Sequence, residues 1–195
     1  MSFDEKYKQI LDLKQSGRKQ QARALADELI HEYQSEPDEA FLLRMCGACT
    51  FKIDHLLWQR LVIPAITPRL ESDPVAIKVL IQTIQNLYSD KETWRRLGYI
   101  TEEQLIQKML ALSPEDTWAR QVKIEQLQRW LAHSIHEWPS GILYATDGAS
   151  VAECDAILSA VDELLILDQS ADCMALCQDV REKVAQYKER LANNQ

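Results

Sequence analysis

Ala22, Leu25, Ala26, Leu29, Ile30 and Tyr33 recur at the i, i+3, i+4, i+7 spacing that lays apolar side chains along one face of a helix. Phe3, Tyr7, Ile10 and Leu11 form a matching stripe before them, and the QSGRK turn in between suits an antiparallel hairpin. Residues 56–66 and 75–88 are apolar nearly all round, the pattern of helices covered on several sides, and should form the centre of the core. Pro64 and Pro68 should end or kink the helix that begins near Asp54. Capping chemistry marks the helix starts. Ser2 with Glu5, Thr101 with Gln104 and Ser150 with Glu153 fit the capping box, in which two side chains satisfy orphan amide protons of the first turn. Asp73-Pro74 and Ser113-Pro114 fit an N-cap followed by a proline in the first turn. With Gly17 and Pro37 as breaks, these signals divide the chain into about eight or nine helices joined by short connections. The expectation is an all-α fold of antiparallel hairpins, either an irregular helical repeat or a compact helical bundle. Residues 1–195 are read as a single all-helical domain, with a soft subdivision near 89–100 left open.

Composition supports helices over sheet. Glycine (5) and proline (6) are few among 195 residues, and no long stretch alternates apolar with polar positions. A chain of this length buries a core without disulfides. The first ten residues are charged and amphipathic, unlike a secretory signal, and no segment approaches the roughly 20 consecutive apolar residues of a membrane span. The expectation is a cytoplasmic protein with free thiols that engages no membrane. The net charge of −8 is uneven: residues 1–50 carry −2, 51–100 carry +2, 101–150 carry −3 and 151–195 carry −5. Such a field repels nucleic acid and speeds encounter with a basic partner.

The segment SGRKQQARALADELI resembles the turn and second helix of a tetratricopeptide repeat, with Gly17 and Ala22 at the positions where such repeats bring two helices close. LALSPEDTWAR is similar to the end of a repeat, with Pro114 opening the next helix. No period of about 34 residues links the two segments, and Pro37 lies about three residues late for the pattern. The resemblance implies protein binding and carries no catalytic residue with it.

Five cysteines invite a metal or redox reading. In RMCGACTFKIDH, Cys46 and Cys49 form a C-x-x-C pair, but Leu42, Cys46, Cys49 and Ile53 also lie on one helical stripe. Cys173 and Cys177 share a stripe with Val180, Val184, Tyr187 and Leu191, and Cys154 one with Val151, Leu158, Val161 and Leu165. Free cysteine behaves as a small hydrophobe, so all five are expected in the core. A redox C-x-x-C needs a strand leading into a helix N-terminus, and no strand precedes Cys46. A zinc site built from Cys46, Cys49, Cys173 and Cys177 would need four thiolates to converge. His133 and His136 look like a ligand pair, yet Ile124, Leu127, Leu131 and Ile135 are the expected buried face of their helix. Gln126, Arg129, His133, His136 and Glu137 fall opposite, and no HExxH order is present. His31 and His55 have no ligand-like partner at helical spacing. No metal or cofactor is expected.

The stretch HEWPSGILYATDGAS interrupts the helical pattern with Trp138, Pro139, Gly141, Ile142, Leu143 and Tyr144. Its two readings are a loop folded back over the core and a recognition surface, since interface hot spots favour Trp and Tyr. Asp147, Glu137, Arg129 and the two histidines would supply the polar rim. Catalytic motifs are missing: there is no G-x-S-x-G, no P-loop and no G-x-G-x-x-G. The acidic pairs Asp27-Glu28, Glu102-Glu103 and Asp162-Glu163 are adjacent, which aims them roughly 100° apart on a helix and not at one reacting atom. The sequence therefore points to a non-enzymatic protein that binds a basic protein partner, in its sharpest form an immunity-type inhibitor of a toxin domain. Asp155, Asp162, Glu163, Asp172 and Asp179 are the expected electrostatic contacts, beside Arg129, His133, His136, Trp138, Tyr144 and Asp147. The alternatives are a repeat-type adaptor or chaperone that binds peptides, and a thiol or histidine metal-binding protein.

Overall fold

A computed structural model describes residues 1–48, 52–144 and 148–193. Among these the protein is all-α, with no strand. Two compact units are present, Met1–Pro114 and Glu115–Gln195.

The first unit begins with α1 (Phe3–Gln15) and α2 (Lys19–Ser35), packed as the expected hairpin. The Ser2–Glu5 capping box opens α1. Two bonds that satisfy orphan carbonyls close it, Arg18 N–H to the Leu13 carbonyl (2.8 Å) and Gly17 N–H to that of Lys14 (3.0 Å). Gly17 adopts φ 77°, and a Cβ there would meet nothing within 4 Å. The glycine serves the left-handed turn and not the close helix approach that the repeat resemblance implied. Ala22, by contrast, is fully buried. On α1 the inward face is Lys6, Ile10 and Leu13, whereas Leu11 is exposed, so the expected stripe is turned by part of a step.

A third helix, α3 (Glu39–Gly47), starts on the carboxylate of Asp38 and packs against α1. It ends at Gly47, so Leu42, Cys46 and Ile53 do not share one continuous helix, although all three are buried. Cys49 lies outside the described residues. The next run is α4 (His55–Leu57), a π turn over Trp58–Val62, and α5 (Ile63–Ile66). Pro64 has no N–H to donate back into the helix, and the Arg60 carbonyl accepts a side-chain bond from Gln34 instead (3.5 Å). A 3-10 turn at Thr67–Arg69 ends the run, as Pro68 leads one to expect. Beyond it come α6 (Pro74–Gln82), α7 (Ile84–Ser89), α8 (Lys91–Arg96) and α9 (Glu102–Leu112). The two stretches expected at the core centre supply Leu57, Trp58, Leu61, Ile66, Ile77 and Leu80, all within 1% of complete burial.

Polar groups tie this core together. The Asn86 amide donates to the Ile53 carbonyl and accepts from its N–H, both at 2.8 Å, so one side chain replaces the secondary-structure partners that Ile53 lacks. Asp90 accepts from Trp58 Nε1 (3.2 Å), Gln59 Nε2 (3.4 Å), and Thr93 Oγ1 (2.7 Å) and N–H (3.2 Å). Burial is the largest single influence and pushes its carboxyl up, but the bonds from Thr93, Gln59 and Trp58 together hold it below the usual range.

The second unit is a three-helix arrangement of α10 (Thr117–Ser134), α11 (Val151–Leu167) and α12 (Ala171–Asn193), each packed on the other two. The cap of α10 is Asp116, whose carboxylate accepts from Ala119 N–H at 2.8 Å. Ser113, the expected cap, instead ends α9 with its N–H on the Met109 carbonyl (2.8 Å). Leu127, Leu131, Ile157, Val161, Val180 and Val184 form the centre of this unit. The stripe expected on α11 is partly displaced: Cys154 and Val161 are buried with Ile157 and Leu164, Leu158 and Leu165 are half-buried, and Val151 faces solvent.

Candidate partner-binding surface

The sequence-derived candidates all fall in the second unit and separate into three places. At the end of α10, Arg129 and His133 are exposed and His136 lies past the helix. The two imidazoles stack with centroids 4.6 Å apart and planes within 13°. His136 Nδ1 faces the His133 carbonyl at 2.6 Å and Nε2 faces the Glu137 carboxylate at 3.0 Å. Both ring nitrogens face oxygens of the chain, so neither is aimed outward as a metal ligand requires.

The second place is the loop after α10. A 3-10 turn over Trp138–Ser140 leads to Gly141 in the left-handed region, and Tyr144 (φ 52°) donates its N–H to the Ser134 carbonyl at 2.9 Å. Leu143 is completely buried, and Trp138 and Tyr144 are half-buried against the core of the unit. The far end of α12 holds this loop down. Arg190 stacks its guanidinium over Trp138 at 4.9 Å and donates to the Gly141 carbonyl at 3.4 Å. Glycine suits both positions, at φ 75° and 80°, and a Cβ would press on the side-chain ends, 2.7 Å from Arg190 Nη1 at Gly141 and 2.2 Å from the Tyr187 hydroxyl at Gly148. The segment covers the core. Asp147 lies outside the described residues.

The third place is the carboxylates of α11 and α12. Four of the five singled out from sequence are paired within the unit: Asp155 with Lys188 (2.8 Å), Asp162 with Arg181 (2.5 Å), Glu163 with Lys123 (3.3 Å) and Asp179 with Lys183 (2.5 Å). The bond from Asp155 raises the Lys188 ammonium above its ordinary value. Asp172 is exposed. Two further exposed acids, Glu182 and Glu189, continue the outward side of α12 beyond Asp172 and Asp179. The seven-residue steps from 172 to 179 and from 182 to 189 keep each pair on nearly one face, and the ten residues from 172 to 182 set the second pair about 80° round the helix from the first. The basic residues of α12 are occupied: Arg181 and Lys188 reach to α11, Lys183 turns along the helix to Asp179, and Arg190 holds the loop. The outward side of α12 is thus left a strip dominated by carboxylates.

The described thiols are not part of any surface. Cys46, Cys154, Cys173 and Cys177 are buried and form no disulfide. Burial first, and the neighbouring Cys177 second, push the Cys173 thiol up to about 11, and burial raises that of Cys154. Among the described residues no three His, Cys, Asp or Glu side chains converge where a metal ion could sit. No described helix is long and apolar enough to cross a membrane.

No family model, curated protein or solved structure matches the chain.

Proposed function

We propose that the protein is a non-enzymatic binding protein whose acidic three-helix unit captures a basic protein partner, in its sharpest form as an inhibitor that neutralises a basic toxin domain. The carrying observation is the distribution of charge. Residues 115–195 hold fourteen acidic and seven basic side chains, a net −7, against −1 for residues 1–114. Four of those seven bases already serve ion pairs inside the unit, so the outward side of α12 presents Asp172, Glu182 and Glu189 to an incoming cation. Opposite charge steers diffusional encounter and raises the association rate more than it slows dissociation.

The test is capture from native lysate on immobilised wild-type chain and on a triple variant, Asp172→Lys, Glu182→Lys and Glu189→Lys, with washes at low and high salt. A basic protein retained in equal amount by the wild type, with an association rate at least about tenfold slower on the variant, is the expected result. Equal capture by both chains would remove the acidic strip from the function.

A further inference from the structure

We propose that a groove in the first unit, beside the α1–α2 hairpin, docks an acidic polypeptide segment carrying apolar side chains among its carboxylates. The groove has a volume of about 580 Å³ and lies between α2, the end of α1 and the helix start at His55. Its floor is apolar: Ala22 and Ala26, one turn apart on α2, keep the surface low, and the half-buried Leu56 closes the other wall. Its rim is cationic. Lys19 and Arg23 stand one turn apart on α2, alongside the two alanines, with His55 across from them.

The groove's one carboxylate, Asp54, is bound by Lys14. Lys19 and Arg23 make no ion pair among the described residues. Two exposed cations next to an apolar floor fit a chain that offers carboxylates and aliphatic side chains at neighbouring positions. A nucleic acid fits less well, because the lining holds no Phe, Tyr or Trp and the molecule as a whole carries −8. The site lies on the other unit from the acidic strip and does not depend on it.

Fluorescence polarisation with three labelled twelve-residue peptides tests the proposal on the full chain. One probe alternates Glu with Leu, the second replaces Glu by Lys, and the third replaces Leu by Ser. The first should bind at least about tenfold more tightly than either of the others. Lys19→Glu with Arg23→Glu should abolish that preference, while Arg95→Glu with Arg96→Glu, cations away from the groove, should leave it intact. Both pairs are exposed, and thermal melts confirm that each variant is folded. Equal binding of the acidic and basic probes would overturn the proposal. So would equal loss in the two double variants, which would mark non-specific attraction, or no penalty for removing leucine, which would remove the apolar floor.

Discussion

Asp90 shows how a buried charge is made tolerable: four donated hydrogen bonds from Trp58, Gln59 and Thr93 replace the water it lost. Asp90→Ala would leave the indole N–H and the Thr93 groups unpaired and should cost about 3 kcal/mol in urea unfolding. The sign with pH follows from the lowered carboxyl. Its stabilisation is complete above the ordinary carboxylate range and is lost as pH falls through the folded value, so the wild type should weaken on acidification more steeply than Asp90→Asn. Lys123 is the converse case, an ammonium only 3% exposed whose carboxylate partner Glu163 is half in water. Removing the partner strands the charge, whereas removing the charge does not. Glu163→Gln should therefore destabilise by about 1–2 kcal/mol, after allowance for solvent screening, and Lys123→Met should be neutral or stabilising in the same assay. Such pairings were not legible from sequence, which marked Asp162 and Glu163 as outward contacts, because a one-dimensional pattern does not say which neighbouring helix supplies a base. The described cysteines were legible as apolar positions, and their burial, with the raised thiols of Cys154 and Cys173, leads to a kinetic expectation. A thiol reagent should modify Cys154, Cys173 and Cys177 only as fast as the second unit opens.

Among elements, α11 carried the least decisive pattern. It is apolar on more faces than it buries, with Val151 and Ile166 left in solvent, the latter 80% exposed. The sequence pointed to the stripe through Val151, Leu158 and Leu165, and packing of α10 and α12 selected instead the one through Ile157 and Leu164. The capping boxes at Ser2, Thr101 and Ser150 were readable because each is a local exchange of two hydrogen bonds across three residues. The start of α10 was less so: the sequence pointed to Ser113 as the cap, and the structure shows Asp116 in use. For the loop after α10, sequence offered core cover and recognition surface alike, and what holds it down is Arg190, about fifty residues later. Gly148→Ala should loosen this cover, because the new Cβ meets the Tyr187 hydroxyl and the residue sits at φ 80°. A loss of about 2 kcal/mol by urea unfolding and faster proteolysis near residue 141 are the expected signs.

At the scale of the molecule, charge and burial divide together. The second unit has its own apolar centre and nearly all of the net charge, so residues 115–195 expressed alone should give a helical spectrum and a cooperative melt. Added salt should raise the stability of this fragment more than that of 1–114, because it screens repulsion within a net −7 against a net −1. A flat salt response of the fragment would mean that its internal ion pairs already balance the excess. The reading from sequence left a soft subdivision open near 89–100, while the boundary between the compact units falls at Pro114 and Glu115. The sequence-level cue there, Ser113-Pro114, marked a helix boundary but not a change of core partner.

What the sequence determined by itself is local and periodic. The all-α class, the three capping boxes and the apolar character of the cysteine positions each depend on residues within a turn or two of one another, where helix geometry fixes the outcome. The tertiary structure decided which side of α11 turns inward, which base neutralises which acid, and that Leu143 goes under its own loop. It also brought Lys14, Arg23 and His55 to one groove. Each of these joins residues from different helices, and their separation in space is set by how the helices pack, which no spacing along the chain records.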